Sequence, residues 1–258
     1  MRLTFLGTGT SFGVPQIGCT CTVCRSADPR DRRTRVGAVV ETDGGTRLLI
    51  DTPPELRLQL IACGIDHVDA VLYTHAHADH VHGIDDLRAL SVRGGALPMY
   101  GSAETLGVLS QRFDYIFDDA MRPLPGTSKP EGRAHVLHDG ETVTIGDARV
   151  TAVAVPHGPT EVFAYRIGPL AYVTDAKALP EHALERLRGA RVLVLNALWR
   201  TEHPTHLSIP QAVEAARRVG AERTYLVHLT HKTSHAELEA ELPDDIRPAY
   251  DGLTIEIE

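Results

Sequence analysis

An α/β fold of two strand-rich halves, each with helices able to cover one face, is what this chain of 258 residues predicts. Strand-like apolar runs alternate with loops and helical patterns along its whole length. Four of the runs lead into histidine or aspartate: Val68 to Tyr73 into His75, Val153 to Val155 into His157, Leu170 to Thr174 into Asp175, and Thr224 to Val227 into His228. No Ser/Gly linker, low-complexity tract or repeat of solenoid period interrupts the series. One domain over residues 1–258 is therefore expected, and a hydrophobic content of 43% is enough for a sizeable core.

The individual elements follow from local signals. A β-like segment, Leu3 to Leu6, runs into a glycine turn at Gly7 and Gly9. Val36 to Glu41 and Arg47 to Asp51 flank Asp43-Gly44-Gly45 in the pattern of a β-hairpin, and Pro54 to Ala62 reads as a helix closed by Gly64. Val68 to Tyr73 is a buried strand, and Gly83 to Val92 is helical, with an N-terminus placed to favour a bound anion. Thr142 to Ile145, Arg149 to Val155, Val162 to Ile167 and Leu170 to Thr174 are strands joined by turns such as Gly146-Asp147 and Gly168-Pro169. Arg191 to Leu195 is a further strand. Ser208-Ile209-Pro210-Gln211 is a capping-box pattern opening a helix to Val219, Ser234-His235-Ala236-Glu237 opens another, and Leu253 to Ile257 is the last strand.

A formal net charge of −8 and a pI near 5.9 argue against a broad nucleic-acid surface, which carries a basic excess. The arginines between Arg25 and Arg35 are interspersed with Asp28 and Asp31 and read as a solvated loop. Neither a basic start with a continuous apolar stretch nor an apolar run of bilayer length is visible, so no secretory signal and no membrane partner are expected. Of the four cysteines, Cys19, Cys21 and Cys24 crowd together, while Cys63 stands alone in a helical pattern as a small buried hydrophobe. Such crowding points to metal binding in a reducing, cytoplasmic compartment rather than to disulfides.

The chemistry is concentrated in Thr74-His75-Ala76-His77-Ala78-Asp79-His80, three imidazoles and a carboxylate directly after an apolar run. Histidine nitrogen and aspartate oxygen are the usual ligands of zinc and similar divalent ions. A short loop leaving a buried strand can aim His75 and His77 at one ion and Asp79 and His80 at another.

This His-x-His-x-Asp-His loop resembles the signature of the metallo-β-lactamase superfamily of hydrolases. The resemblance implies further ligands downstream in a fixed order, at His157, Asp175 and His228. The N-terminal run from Leu3 to Thr10, Gly13-Val14-Pro15 and the cysteine cluster is similar to the branch containing the phosphoribosyl cyclic phosphodiesterases. That similarity implies a structural zinc held by Cys19, Cys21, Cys24 and His231, stapling the N-terminal loop to the C-terminal half. It spans residues 3 to about 257 and implies the αββα sandwich, two packed β-sheets flanked by helices, with metals at one edge.

Carried onto matching positions, the family roles put His75, His77 and His157 on one active-site metal and Asp79, His80 and His228 on the other, with Asp175 as the bridge. A bridging carboxylate makes the site oxygen-rich, so zinc, manganese and iron are all admissible. Two such ions sharing a water present a hydroxide to an electrophile, and Asp79 can orient it as a catalytic residue. His206, which immediately precedes a helix and matches a histidine near the substrate in the cyclic phosphodiesterases, is the expected general acid. Asp51 is expected to support a ligand histidine rather than to ligate. Asn196 and Trp199-Arg200 depart from the branch's pattern. His67, His82, His135, His138, His182, His203 and His235 are assigned no role.

The expected activity is hydrolysis of a small, cyclic ribose- or nucleotide-phosphate-like phosphodiester, with that small molecule and a second copy of the chain in a homodimer as partners. A tRNA 3′-processing endonuclease shares the ligands but carries a basic, glycine-rich arm, and no such insertion is evident. A thioester or lactone hydrolase would use the same metals. A non-catalytic metal-binding protein of a cofactor pathway is the alternative from outside the enzymes.

Overall fold

The computed structural model describes residues 1–258. Its first sheet has the strand order β14-β1-β2-β3-β4-β5-β6. The strands are β1 (Arg2–Gly7), β2 (Gly37–Glu41), β3 (Arg47–Ile50), β4 (Ala70–Leu72), β5 (Leu97–Gly101), β6 (Gly132–Val136) and β14 (Thr254–Glu256). The second sheet has the order β13-β12-β11-β10-β9-β8-β7. It comprises β7 (Thr142–Ile145), β8 (Ala148–His157), β9 (Thr160–Ile167), β10 (Leu170–Val173), β11 (Val192–Asn196), β12 (Arg223–Val227) and β13 (Ile246–Pro248). In each sheet the first three pairings are antiparallel and the last three parallel, reading from β14 in one and β7 in the other. The architecture is the α/β sandwich expected from the sequence.

Period-two alternation within the apolar runs explains how both faces of each sheet are filled. Leu48, Ile50, Ala70 and Leu72 point inward and meet Val150, Ala152, Tyr165 and Tyr172 of the facing sheet. Leu49 and Val71 point outward, beneath α1 (Leu56–Ala62), α3 (Arg88–Gly94) and α4 (Ala103–Arg112). On the other side Val153, Val155, Leu193 and Leu195 pack under α6 (Glu181–Leu187), α7 (Ile209–Val219) and α8 (His235–Glu241). Two helices of four residues each, α2 (Ala78–Val81) and α5 (Asp114–Phe117), complete the set. The capping boxes expected at Ser208 and Ser234 are formed, each serine accepting from the third helical N–H while Gln211 or Glu237 reaches back.

The helix expected from Gly83 to Val92 is broken. Ile84–Leu87 is a 3₁₀ turn and α3 begins only at Arg88. Gly83 donates its N–H to the Thr52 carbonyl, and a Cβ there would lie 2.0 Å from the Pro53 carbonyl oxygen, so only glycine fits where the chain is pinned against the β3 exit. The helix at the histidine loop is instead α2, which carries Asp79 and His80. The loop from Arg25 to Arg35 is not wholly solvated either. Arg33 is fully buried and donates to the carbonyls of Thr230 and Thr233, with Asp31 at 3.4 Å. Cys63 is only partly buried, against the outer core of the first sheet. Strands β5 and β6 and helices α4, α5 and α6 are not among the elements expected from the sequence, although Ser102 caps α4 and Leu184 and Leu187 share the buried face of α6. In β6, four of the five residues are exposed, as suits a sheet edge.

One ionisable group ties the N-terminal turn to the C-terminal one. Asp251 accepts from the Thr8 hydroxyl, the Thr34 hydroxyl and the Thr34 N–H at 2.8, 2.6 and 2.7 Å. Burial nevertheless pushes its carboxyl up from the ordinary 3.8 to about 6. The fold thus favours the protonated acid, so this contribution to stability is present at low pH and is lost as pH rises through about 6. Because some of the side chain meets solvent, the expected size is roughly 2 kcal/mol. Denaturant melts of the wild type and Asp251→Asn between pH 4 and pH 7 check it: the wild type should lose about that much relative to the variant, and parallel curves would contradict the assignment.

Candidate metal centre

The site lies where strand ends from both sheets come level. Three residues there, Asp51, Asp175 and His228, are the only non-glycine residues with positive φ, at 61°, 58° and 59°. Each directly or almost directly follows a parallel strand, namely β3, β10 and β12. A left-handed residue at a strand end costs about 1–3 kcal/mol, and its recurrence at three facing positions marks a constraint imposed by the site.

The histidine loop is locked from below by Asp51. Its Oδ1 accepts the Thr74 N–H at 2.8 Å, while Oδ2 accepts the Thr74 hydroxyl and His80 Nδ1, each at 2.7 Å. Burial raises the Asp51 pKa, opposed by His80. With Nδ1 of His80 committed to Asp51, its Nε2 faces Asp175 Oδ2 at 3.3 Å and Asp79 Oδ2 at 3.5 Å. His228 Nε2 approaches Asp175 Oδ1 at 3.2 Å and Asp79 Oδ2 at 3.8 Å. On the other side, His75 Nε2 and His77 Nδ1 lie 2.9 Å apart, and the His157 ring centroid is 5.4 Å from that of His75 and 5.2 Å from that of His77. His157 Nδ1 donates to the Thr205 carbonyl at 3.0 Å, which leaves Nε2 bare toward the group.

Two clusters of possible ligands result, His75-His77-His157 and Asp79-His80-His228, and Asp175 with His75 and His80 forms a third that joins them. The residues fit a pair of cations on two counts. Nε2 of His80 and both ring nitrogens of His228 are buried with no hydrogen-bond partner, which a protein tolerates only when something else satisfies them. The protonation pattern at the three-histidine cluster and the two aspartates also suits ligation. Burial drives His75, His77 and His157 below the ordinary imidazole value, so they are neutral with free lone pairs. Burial would raise the pKa of Asp175, but the adjacent His228 and His80 overcome it and hold the carboxylate well below its usual range; Asp79 is likewise held down by His80 and His228.

Cys19, Cys21 and Cys24 surround Nδ1 of His231, with sulfur–nitrogen distances of 3.2, 3.4 and 3.4 Å. A tetrahedral zinc with bonds of about 2.3 Å to sulfur and 2.0 Å to nitrogen sets edges of roughly 3.5 Å. No disulfide is formed. The Cys24 N–H points at the Cys21 sulfur and draws its pKa down to about 6, a thiolate at neutral pH, whereas burial pushes Cys24 up to about 11. A cation among them would deprotonate both.

His206 Nε2 donates to Asp175 Oδ1 at 2.8 Å and its ring stacks on that of His228 at 4.7 Å, so it belongs to the same group. Burial lowers its pKa, against the pull of Asp175. Asn196 acts as a backbone brace: its amide exchanges two hydrogen bonds with the N–H and carbonyl of Ala176, holding the turn that presents Asp175. Among histidines that sequence left without a role, His67 faces Asp66, His135 stacks on Tyr100 and His182 bonds the Ala154 carbonyl. His203 is different. Its Nδ1 lies 3.3 Å from His206 Nδ1, a proximity that the three-residue spacing of the two histidines already allowed.

Comparison with known proteins places this geometry. Residues 46–229 match the model of the β-lactamase superfamily domain. The chain is similar over 100% of its length, at 42% identity and a TM-score of 0.90, to the crystal structure of a diphosphatase from the PhnP family, covering 98% of that chain. It is 40% identical over 258 residues to an octanoyltransferase of Porphyromonas gingivalis, with 98% of this chain matched; it spans about half (51%) of that relative's length. The Zn²⁺-bound PqqB of Methylobacterium extorquens shares the fold at 22% identity, with a TM-score of 0.76 and full coverage of both chains. No helix is long and apolar enough to cross a membrane.

Two outcomes are expected from this geometry. Replacing Asp51 by Ala frees His80 to rotate, and affinity for the metals should fall about 10–100-fold while a folded protein remains, as measured by titrating metal into stripped protein. Replacing Cys21 by Ser should lower both the metal-to-protein ratio and the melting temperature; an unchanged ratio on elemental analysis would mean that the thiols hold nothing.

Proposed function

Because the chain belongs to the β-lactamase superfamily and, within it, to the PhnP family, we propose that it is a dinuclear metal-dependent phosphodiesterase acting on a small, cyclic, ribose- or nucleotide-phosphate-like substrate. The observation that carries the reading is the gathering of His75, His77, Asp79, His80, His157, Asp175 and His228 from separate strand ends around one buried carboxylate. A relative described as a diphosphatase supports phosphorus chemistry over thioester or lactone hydrolysis. Net acidity speaks against a tRNA substrate.

Two divalent ions in these clusters would supply a water of lowered pKa and neutralise charge on the phosphate oxygens. The chain's own residues do the rest. Asp175 ties the two clusters together, and Asp79, with Oδ2 between the Nε2 atoms of His80 and His228, can accept a hydrogen bond from the attacking water and orient it. Asp51 keeps His80 aimed, and Thr205 keeps His157 aimed. His206, partly exposed, carries a proton at Nε2 toward Asp175 Oδ1; a leaving oxygen lodged beside that carboxylate comes within reach of the same N–H. General acid catalysis of this kind is worth about 10²–10⁴-fold.

The test exploits the leaving group. A general acid matters for a sugar alkoxide and little for an acidic phenol. His206→Ala should slow an alkyl or cyclic phosphodiester by about 10²-fold or more and an activated aryl phosphodiester far less, at unchanged metal content. Equal losses would move His206 to phosphate binding. Turnover of a thioester but of no phosphodiester by the metal-loaded protein would overturn the reaction class.

A further inference from the structure

We propose that the cleft between Phe12, Trp199 and Lys232 is a subsite for a planar heteroaromatic ring on the substrate, so that the diester cleaved is that of a nucleotide and not of a bare sugar. This rests on the phosphodiesterase reading above.

Position comes first. The segment after β12 delivers His228 to the metal centre and His231 to the cysteine cluster, and between these two sites Thr230 and Lys232 border a pocket of about 80 Å³. Thr10, Phe12, Gln16 and Trp199 supply its other walls. A file of rings links the pocket wall to the metal centre. Trp199 meets His203 edge to face at 5.1 Å, His203 lies 5.2 Å from His206, and His206 bonds Asp175.

The chemistry of the walls selects the ring. Phe12 is 68% exposed, an unusual position for a phenyl group, yet it sits on an ordered turn: its N–H approaches the Thr10 hydroxyl, and Gly13 N–H bonds the Thr10 carbonyl at 2.9 Å. Gly13 has φ +65°, and the same loop is held at its far end by the Gln16 N–H on the Cys24 sulfur. A rigid exposed aromatic face is a stacking surface, and bases of any sequence stack on it. Lys232 places its ammonium 3.8 Å from the centre of the Trp199 ring and pairs with no carboxylate. The chain has only three lysines among its 26 basic residues, so an unpaired one poised over the only tryptophan stands out. Its ammonium, together with a Gln16 side-chain amide that makes no bond within the protein, offers donors and an acceptor to the nitrogen and oxygen atoms on the edge of a base.

Trp199 is the single tryptophan, and its emission reads the pocket directly. Excited at its red edge and titrated with AMP, ribose 5-phosphate and inorganic phosphate, the purified protein should respond saturably to AMP alone. Phe12→Ala, a change at an exposed side chain, should weaken that response about tenfold or more in apparent Kd. In turnover, the same variant should lose about 10–100-fold in kcat/KM on a nucleoside 2′,3′-cyclic phosphate and keep its rate on the cyclic phosphate of ribose without a base. A response to ribose 5-phosphate equal to that for AMP, or a Phe12→Ala protein with unaltered AMP affinity, overturns the subsite. Should wild type bind AMP through Phe12 yet cleave neither diester, the subsite stands and the reaction assignment is what fails.

Discussion

The carboxylate of Asp175 is the point on which the rest of the site depends. Three imidazoles reach it from three separate segments: His206 at 2.8 Å, His228 at 3.2 Å and His80 at 3.3 Å. It is 2% exposed, and an ionised carboxylate so deeply buried persists only if positive charge compensates it. His80 serves that role in the absence of metal, its pKa held well above the ordinary imidazole value by Asp175, Asp51 and Asp79 against the effect of burial, and cations would serve it better while freeing His80 to ligate. The left-handed backbone at Asp175 and the Asn196 clamp on Ala176 are both means of holding this one group at the tip of β10.

The pairing pattern of the sheets explains why the ligands converge. Both sheets pass from antiparallel to parallel pairing after their fourth strand, β3 in one and β10 in the other. The C-terminal ends of the parallel strands in an α/β sheet are where loops can gather without crossing, and ligand sites form there for that reason. Asp51 ends β3 and Asp175 ends β10, so the two left-handed aspartates occupy corresponding places in the two halves. Their tasks have diverged. Asp51 braces His80 from behind, and Asp175 faces the ligands of both clusters.

The cysteine cluster is coupled to this centre by chain continuity. Only two residues separate His228 from His231, so the segment between them is fixed at both ends. Arg33 adds a third anchor, its buried guanidinium spanning the carbonyls of Thr230 and Thr233. Asp31 turns back to accept the His235 N–H at 2.7 Å, which joins the arginine loop to the start of α8. The N-terminal loop that carries Phe12 is thereby held against the far end of the chain, and the rim of the metal centre gains rigidity from residues that never touch it.

The sequence by itself determined the chemistry and the layers. Period-two apolar runs ending in histidine or aspartate specify strands buried on both faces with ligands at their tips, because side-chain alternation and the preference of metals for imidazole and carboxylate are local properties. Capping boxes at Ser208 and Ser234 were legible for the same reason. Tertiary structure alone decided what depends on distant neighbours. Position 83 needs glycine because the Pro53 carbonyl lies against it, and Arg33 leaves solvent only because the carbonyls of Thr230 and Thr233, some two hundred residues away, accept its donors. Phe12 comes beside Trp199 and Lys232 through the packing of loops that share no periodicity, so no reading of spacing could place them together.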